Sequence, residues 1–491
     1  MMKDAVERNI RETYGGRGRG KKGKRVGGGG KGHEGFLDLT RIPTDEELED
    51  DVLRMATNSL AKNEWDDVFE NHYVARKKRE DTDVRVVSED TQIRNQENSG
   101  RCWIFTTLAF YRSILINKSK PALTPDSVVL SPAYLYFWHL FESSAAFMEK
   151  IYRYADQPVN SQVNAILMGN PVTDGASEIT GHILVERYGV VPELKMPDTE
   201  QSRNTEKLQR YLIQLLRKAA FFIRKTHGKP REYIGVRNRF LRIIRRILVA
   251  SLGEPPATFT YSFEQCDDGK FLQVEDTTPR EFYEKFLKPH DKRLISVITN
   301  CSKKLFPEGQ WQFFKDTNST INTPKTDQLC LSVDVVKIAE AMRESLRHKI
   351  PVFTGTDVTN DFSEDLGWAD VGLFDPTIIL DDADIRFIDK IPKDEYVQHS
   401  IHAPNHAMLV IGYGTENHKP DGKITHWLLE NSWGDESGDD GLVRVSHEWL
   451  LRNLYVLTIQ QQFLPKEYTS KPKDEDIKEF EIYDAIPALL I

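Results

Sequence analysis

Cys102 closes a polar turn, Gln96-Glu97-Asn98-Ser99-Gly100-Arg101, and heads a stretch in which Ile104, Leu108, Tyr111 and Leu115 recur at helical spacing. The spacing predicts a thiol in the first turn of a helix. There, unpaired amide N–H groups and the positive end of the macrodipole favour the thiolate, the form that attacks carbonyl carbon. Gln96, across the turn, is predicted to fold its amide beside the sulfur. With the N–H of Cys102 it would make a two-donor pocket for the oxyanion of a tetrahedral intermediate. A cysteine at a helix start also packs as a small buried hydrophobe, and this stretch alone leaves both readings open.

A nucleophilic thiol needs a base held in one tautomer. Asn405 to Tyr413 reads as a buried strand and Ile424 to Glu430 as a second one that ends at Asn431, with Pro420-Asp421-Gly422-Lys423 as the turn between them. Antiparallel pairing makes His406 and Asn431 neighbours. Asn431 then fixes the imidazole tautomer and leaves the other ring nitrogen to face Cys102. Trp433 is expected to shield that hydrogen bond. A rival chemistry would use His399, His402 and His406 as metal ligands, but Pro404 interrupts any one helix presenting them and there is no HExxH pattern to supply a base. No Walker loop, dinucleotide fingerprint or GxSxG elbow is present, so the expectation is thiol chemistry with no metal and no cofactor.

The elements around these residues divide the chain. Its 491 residues allow two or three domains, two lobes around one cleft, or one catalytic domain with insertions. The net charge of −9 and the 39% hydrophobic content, with no long apolar run, exclude a membrane-spanning protein. The N-terminus lacks the apolar core of a secretory signal. Cys102, Cys266, Cys301 and Cys330 are scattered without CxxC spacing, which fits a reducing compartment, so a cytoplasmic location is expected. Residues from about Tyr14 to Gly35 are glycine-rich and basic, a composition that cannot bury a core; a flexible tail is the plain reading and weak nucleic-acid affinity the sharper one. Folding is expected to begin near Thr44. Ser131-Pro132 caps one helix and Gly189 stops another. Between Leu208 and Leu252 lie two helical patterns, the second with Arg239, Arg242, Arg245 and Arg246 outside its apolar stripe, a solvated face or a contact surface. Past Gly253 the chain turns to short extended runs.

Taken in order, these residues resemble the papain-like cysteine peptidases and, within them, the bleomycin hydrolase branch of intracellular cysteine aminopeptidases. The resemblance is carried by Gln96 with Ser99-Gly100-Arg101-Cys102-Trp103, by Leu130 to Trp138, by Glu186-Arg187-Tyr188-Gly189-Val190-Val191-Pro192, by Pro255 to Thr260, by His406-Ala407-Met408 and by Glu430-Asn431-Ser432-Trp433-Gly434. It spans about residues 85 to 463.

The resemblance implies an α+β class, a papain-like two-lobed fold with family insertions in which a helical lobe meets an antiparallel β lobe. The corresponding segments are 1–40, an extension outside the resemblance; 41–257, the helical lobe with the nucleophile; 258–463, the β-rich lobe with His406 and Asn431; and 464–491, a C-terminal arm. It also implies a homohexamer acting on peptides, with Cys102, His406 and Asn431 catalytic, Gln96 in the oxyanion pocket, and Ile491 and Trp433 meeting substrate. Secreted relatives carry a disulfide cysteine where this chain has Ser99. Family members end near a small residue, whereas this tail ends in Leu489-Leu490-Ile491. The alternatives are an endopeptidase or transferase, if the arm leaves the cleft open, and a non-catalytic nucleic-acid-binding hexamer.

Overall fold

The computed structural model describes residues 51–480 except 80, 88–90, 267–268, 289–292, 301–302, 304–305, 315–328, 381, 389–403, 420 and 471. The glycine-rich segment, the helix start at Thr44, Cys301, His399, His402 and Ile491 lie outside the described residues. The chain divides into two units, residues 1–61 and 62–491, and the described part of the first is built on helix α1 (Asp51–Leu60).

Helices come first in the second unit. In α2 (Cys102–Lys118) every residue from Trp103 to Leu115 is buried, so the stripe of Ile104, Leu108, Tyr111 and Leu115 is only part of what this helix hides. Its polar residues find partners inside: Thr107 Oγ1 donates to Trp103 O at 2.7 Å and Thr106 Oγ1 to Ala407 O at 3.1 Å. Helix α3 (Pro132–Arg153) starts as its sequence predicts, with Ser131 Oγ accepting from Tyr134 N at 3.1 Å and Pro132 in the first turn. Helix α4 (Glu178–Tyr188) stops at Gly189, whose φ is 75° and whose Cβ would lie 2.0 Å from Pro279 O, so only glycine fits. Helices α5 (Glu206–Arg224) and α6 (Pro230–Leu252) bury Leu208, Leu212, Leu216, Ile244, Leu248 and Leu252. Arg239, Arg242, Arg245 and Arg246 are exposed, and Arg245 pairs with Glu254.

Strand β1 (Val84–Arg85) precedes these helices; the remaining strands follow them. Strands β2 (Phe259–Glu264) and β3 (Phe271–Thr277) form a separate hairpin whose Phe259, Phe263 and Val274 join the helical core. The described residues then build a twelve-stranded sheet. It comprises β1, β4 (Leu294–Ile298), β5 (Trp311–Phe314), β6 (Leu329–Ser332), β7 (Val352–Thr356), β8 (Phe362–Ser363), β9 (Trp368–Ala369), β10 (His406–Thr415), β11 (Ile424–Glu430), β12 (Leu442–Ser446), β13 (Leu454–Gln460) and β14 (Ile477–Phe480). The order is β14-β5-β6-β4-β13-β7-β10-β11-β12-β9-β8, with β1 on β10. The strands that carry the site pair antiparallel, while β4–β6, β5–β14 and β9–β12 are parallel, so the sheet is mixed.

Two cores lie against the central strands. In β10, Ala407, Leu409 and Ile411 enter the helical core, whereas Met408 and Val410 enter a second core shared with helices α7 (Val335–Arg347) and α8 (His447–Asn453). That double burial is why β10 reads as an unbroken apolar run. Residues after Leu464 return to the sheet edge as β14. No helix among the described residues is long and apolar enough to cross a membrane.

Candidate active site

The turn before Cys102 is held by buried charge. Arg101, fully buried, donates from Nη1 to Asp198 at 2.7 Å and from Nε to Ser99 Oγ at 3.0 Å, and its guanidinium lies 5.2 Å from the ring of Phe105. Asp174 is the second anchor. It accepts from Gly100 N at 3.2 Å and from the hydroxyls of Tyr136 and Thr205, and its backbone oxygen accepts from Trp103 Nε1 at 2.7 Å. A Cβ on Gly100 would stand 2.9 Å from Asp174 Cβ, which is why the turn needs glycine there.

Gln96 is fixed at both ends of its amide. Nε2 donates to Ser99 O at 2.6 Å, Oε1 accepts from Ser432 Oγ at 2.6 Å, and the backbone N–H of Gln96 donates to Ser432 O at 2.7 Å. One Nε2 proton is thereby spent. The other remains for the cleft that Gln96 lines together with Cys102 and His406.

His406 and Asn431 meet as the hairpin reading predicts, through a diagonal contact. Leu409 is opposite Glu430, so Asn431 falls one step further along and reaches His406 at the strand's first position. His406 Nε2 lies 2.7 Å from Asn431 Oδ1, and Oδ1 also accepts from Ser432 N at 2.8 Å. An oxygen accepting from both makes Nε2 the protonated nitrogen and leaves Nδ1 as the basic one. Trp433 lies over the imidazole, with ring centroids 4.6 Å apart and an interplanar angle of 31°. It covers the His406 ring and borders an adjacent recess with Glu97 and Glu436 rather than the cleft of Cys102.

Electrostatics at the site differ from what the helix start alone implies. Burial pushes the Cys102 thiol up, and the backbone N–H groups of Ala407, Trp103 and Cys102 itself only partly offset it. Burial likewise pushes His406 down to about 4 against the Asn431 hydrogen bond, which raises it. A lone thiolate is therefore not favoured by position. The walls of the cleft are apolar, with Phe353, Pro404 and Val456 beside Ala176 and Ala407.

Several residues at the site left no local trace in the sequence: Arg101 with Asp198, Asp174, and the Ser432 hydroxyl. Each acts through a partner far along the chain. His399 and His402 fall outside the described residues; of the three imidazoles considered for a metal, His406 is the one described. Asp81, Asp83 and His418 bring ligand atoms within 4.8 Å of one another, but Asp83 Oδ2 is already taken by Thr415 N and Oγ1 at 2.6 and 2.8 Å, and none of the three lines the cleft.

Known proteins share this arrangement of elements and sequence. The chain is 28% identical over 386 residues to Aminopeptidase C of Listeria monocytogenes serovar 1/2a, which covers 79% of this chain and 84% of that protein. It is 30% identical over 412 residues to Aminopeptidase E of Lactobacillus helveticus, covering 83% and 89%. The crystal structure of PepW from Lactobacillus rhamnosis HN001 superposes with a TM-score of 0.81 at 24% identity, over 92% of this chain and 100% of that one, so the two share a fold. Residues 44–487 match the Peptidase C1-like family over most of the chain, and the chain belongs to that family.

Proposed function

We propose that the chain is a cysteine aminopeptidase that removes N-terminal residues from peptides. The observation that carries this reading is the His406 Nε2 to Asn431 bond of 2.7 Å, which leaves Nδ1 as the base of a cleft that Cys102 and Gln96 also line. The activity named for the two aminopeptidase relatives supports it.

In the proposed reaction His406 Nδ1 takes the Cys102 proton and the sulfur bonds to the scissile carbonyl carbon, placing negative charge on its oxygen. That oxyanion is met by the N–H of Cys102 and the free Nε2 proton of Gln96. The C–N bond breaks as His406 returns its proton to the leaving amine. Water, deprotonated by the same nitrogen, then hydrolyses the thioester. Asn431 keeps the imidazole in register throughout.

Hydrolysis of one fluorogenic amide with a free or an N-acetylated amine tests the assignment. The free amine is expected to be strongly preferred; equal rates would make the enzyme an endopeptidase with an open cleft. The same reading places the chain in the cytoplasm as a homohexamer, and exposed Phe221, Phe222, Ile234 and Ile243 on α5 and α6 supply apolar surface of the kind subunits cover. A monomer by light scattering at micromolar concentration would end that part.

A further inference from the structure

Helix α2 does more than present the sulfur. From its N-terminus onward it faces the strands of His406 and Asn431 at three places, two of them hydrogen-bonded. Cys102 lines one cleft with Ala407, the residue after His406. One turn on, Thr106 Oγ1 donates to the carbonyl of that same Ala407 at 3.1 Å. Further along, Arg112 Nη2 donates to both carboxylate oxygens of Glu430, at 2.7 and 2.6 Å, and Glu430 immediately precedes Asn431. The helix thus registers the histidine strand and the asparagine strand against one rigid rod.

The third contact is the one that general stability does not explain. Arg112 and Glu430 are 7% and 5% exposed. Withdrawing both charges from water costs several kcal/mol per ion, and apolar residues of similar size usually serve a core as well or better. The pair is also incompletely satisfied, because Arg112 Nε is buried without a hydrogen-bond partner, and so is Nδ2 of the neighbouring Asn431. Arg112, Glu430 and Asn431 all line one small, mainly apolar cavity with a volume of about 50 Å³. An ion pair retained at such cost beside the catalytic amide is suited to direction rather than to cohesion.

Resting on the peptidase reading above, we propose that Arg112 is a positioning residue for Asn431: through Glu430 it locks the end of β11 against α2, and so holds the Asn431 oxygen on His406 Nε2 and His406 Nδ1 toward the sulfur. It touches neither substrate nor reacting atoms. Loss of the clamp should loosen the imidazole orientation, lowering kcat and weakening the coupling of thiol to imidazole while leaving KM nearly unchanged.

The test compares the full chain with Arg112→Lys, Glu430→Gln and the apolar double variant Arg112→Met/Glu430→Leu. For each, kcat, KM, thermal midpoint and the pH profile of Cys102 alkylation by iodoacetamide are measured. Glu430→Gln leaves the buried Arg112 charge alone and destabilises the fold for that ordinary reason. The double variant removes that penalty, and a wild-type thermal midpoint in it is the condition that isolates positioning. Expected is a drop in kcat of at least tenfold in the double variant, a KM within twofold of wild type, and an alkylation profile moved toward that of a free thiol. Arg112→Lys, which keeps the charge, should retain more activity than the double variant. A double variant with wild-type kcat and an unchanged alkylation profile would overturn the clamp, as would a loss of activity that tracks thermal midpoint alone across the series. Wild-type protein inert toward peptide amides would count against the peptidase reading instead, and the alkylation profiles would still decide the clamp.

Discussion

Neither titrating group of the site gains from being an ion by itself. Burial raises the Cys102 thiol and lowers His406 to about 4, so at neutral pH each alone is uncharged. In the proposed reaction, proton transfer from sulfur to Nδ1 would change both at once, and the attraction between the new charges in a poorly solvated cleft would offset the two penalties. Removing Cys102 should therefore abolish turnover: Cys102→Ala is expected to lower kcat by on the order of 10⁵-fold or more in a steady-state assay. Gln96→Ala removes one oxyanion donor and should lower kcat by about 10²–10³-fold with little change in KM. Because Gln96 is tied to Ser432 Oγ at 2.6 Å, Ser432→Ala should produce a smaller loss of the same kind, separable from folding by an unchanged thermal midpoint.

At the scale of elements, the parts legible in the sequence are those with local grammar. Ser131 and Pro132 open α3, Gly189 ends α4, and the apolar run from His406 becomes a strand buried on both faces. The His406–Asn431 contact was legible too, because a hairpin brings the start of one strand to the end of the next. The supports of Cys102 were not. Arg101 meets Asp198, Gly100 and Trp103 meet Asp174, and Arg112 meets Glu430 across 318 positions, and no spacing rule connects residues so far apart. The tight seat of α2 on α4 was equally hidden. A Cβ on Gly181 would lie 2.1 Å from Thr107 Oγ1 and 2.9 Å from its Cβ. Gly181→Ala should therefore lower stability by about 1–3 kcal/mol, read from the denaturant midpoint, despite alanine's better helix propensity.

For the molecule as a whole, buried imidazoles set the response to acid. His182, packed among Phe110, Tyr111 and Phe353, is pushed down to about 3 by burial, and His406 to about 4. In the unfolded chain both take up a proton near pH 6.5. Between that pH and the folded values the unfolded state binds more protons, so stability falls as pH falls through this window. The denaturant midpoint should be lower at pH 5 than at pH 7, and His182→Phe should flatten that slope. The Asp83 carboxyl, held below its ordinary value by hydrogen bonds from Thr415 despite its burial, adds a loss only at still lower pH.

The central claim, that Cys102 and His406 ionise as a pair, is tested most directly by the rate of Cys102 alkylation by iodoacetamide as a function of pH, read by peptide mass spectrometry in wild type and His406→Ala. Pairing predicts modification of wild-type Cys102 well below the free-thiol value of about 8.5, and loss of that low-pH reactivity in the variant. A wild-type Cys102 that stays inert while Cys266 reacts, or one that titrates like a free thiol in both proteins, would contradict it.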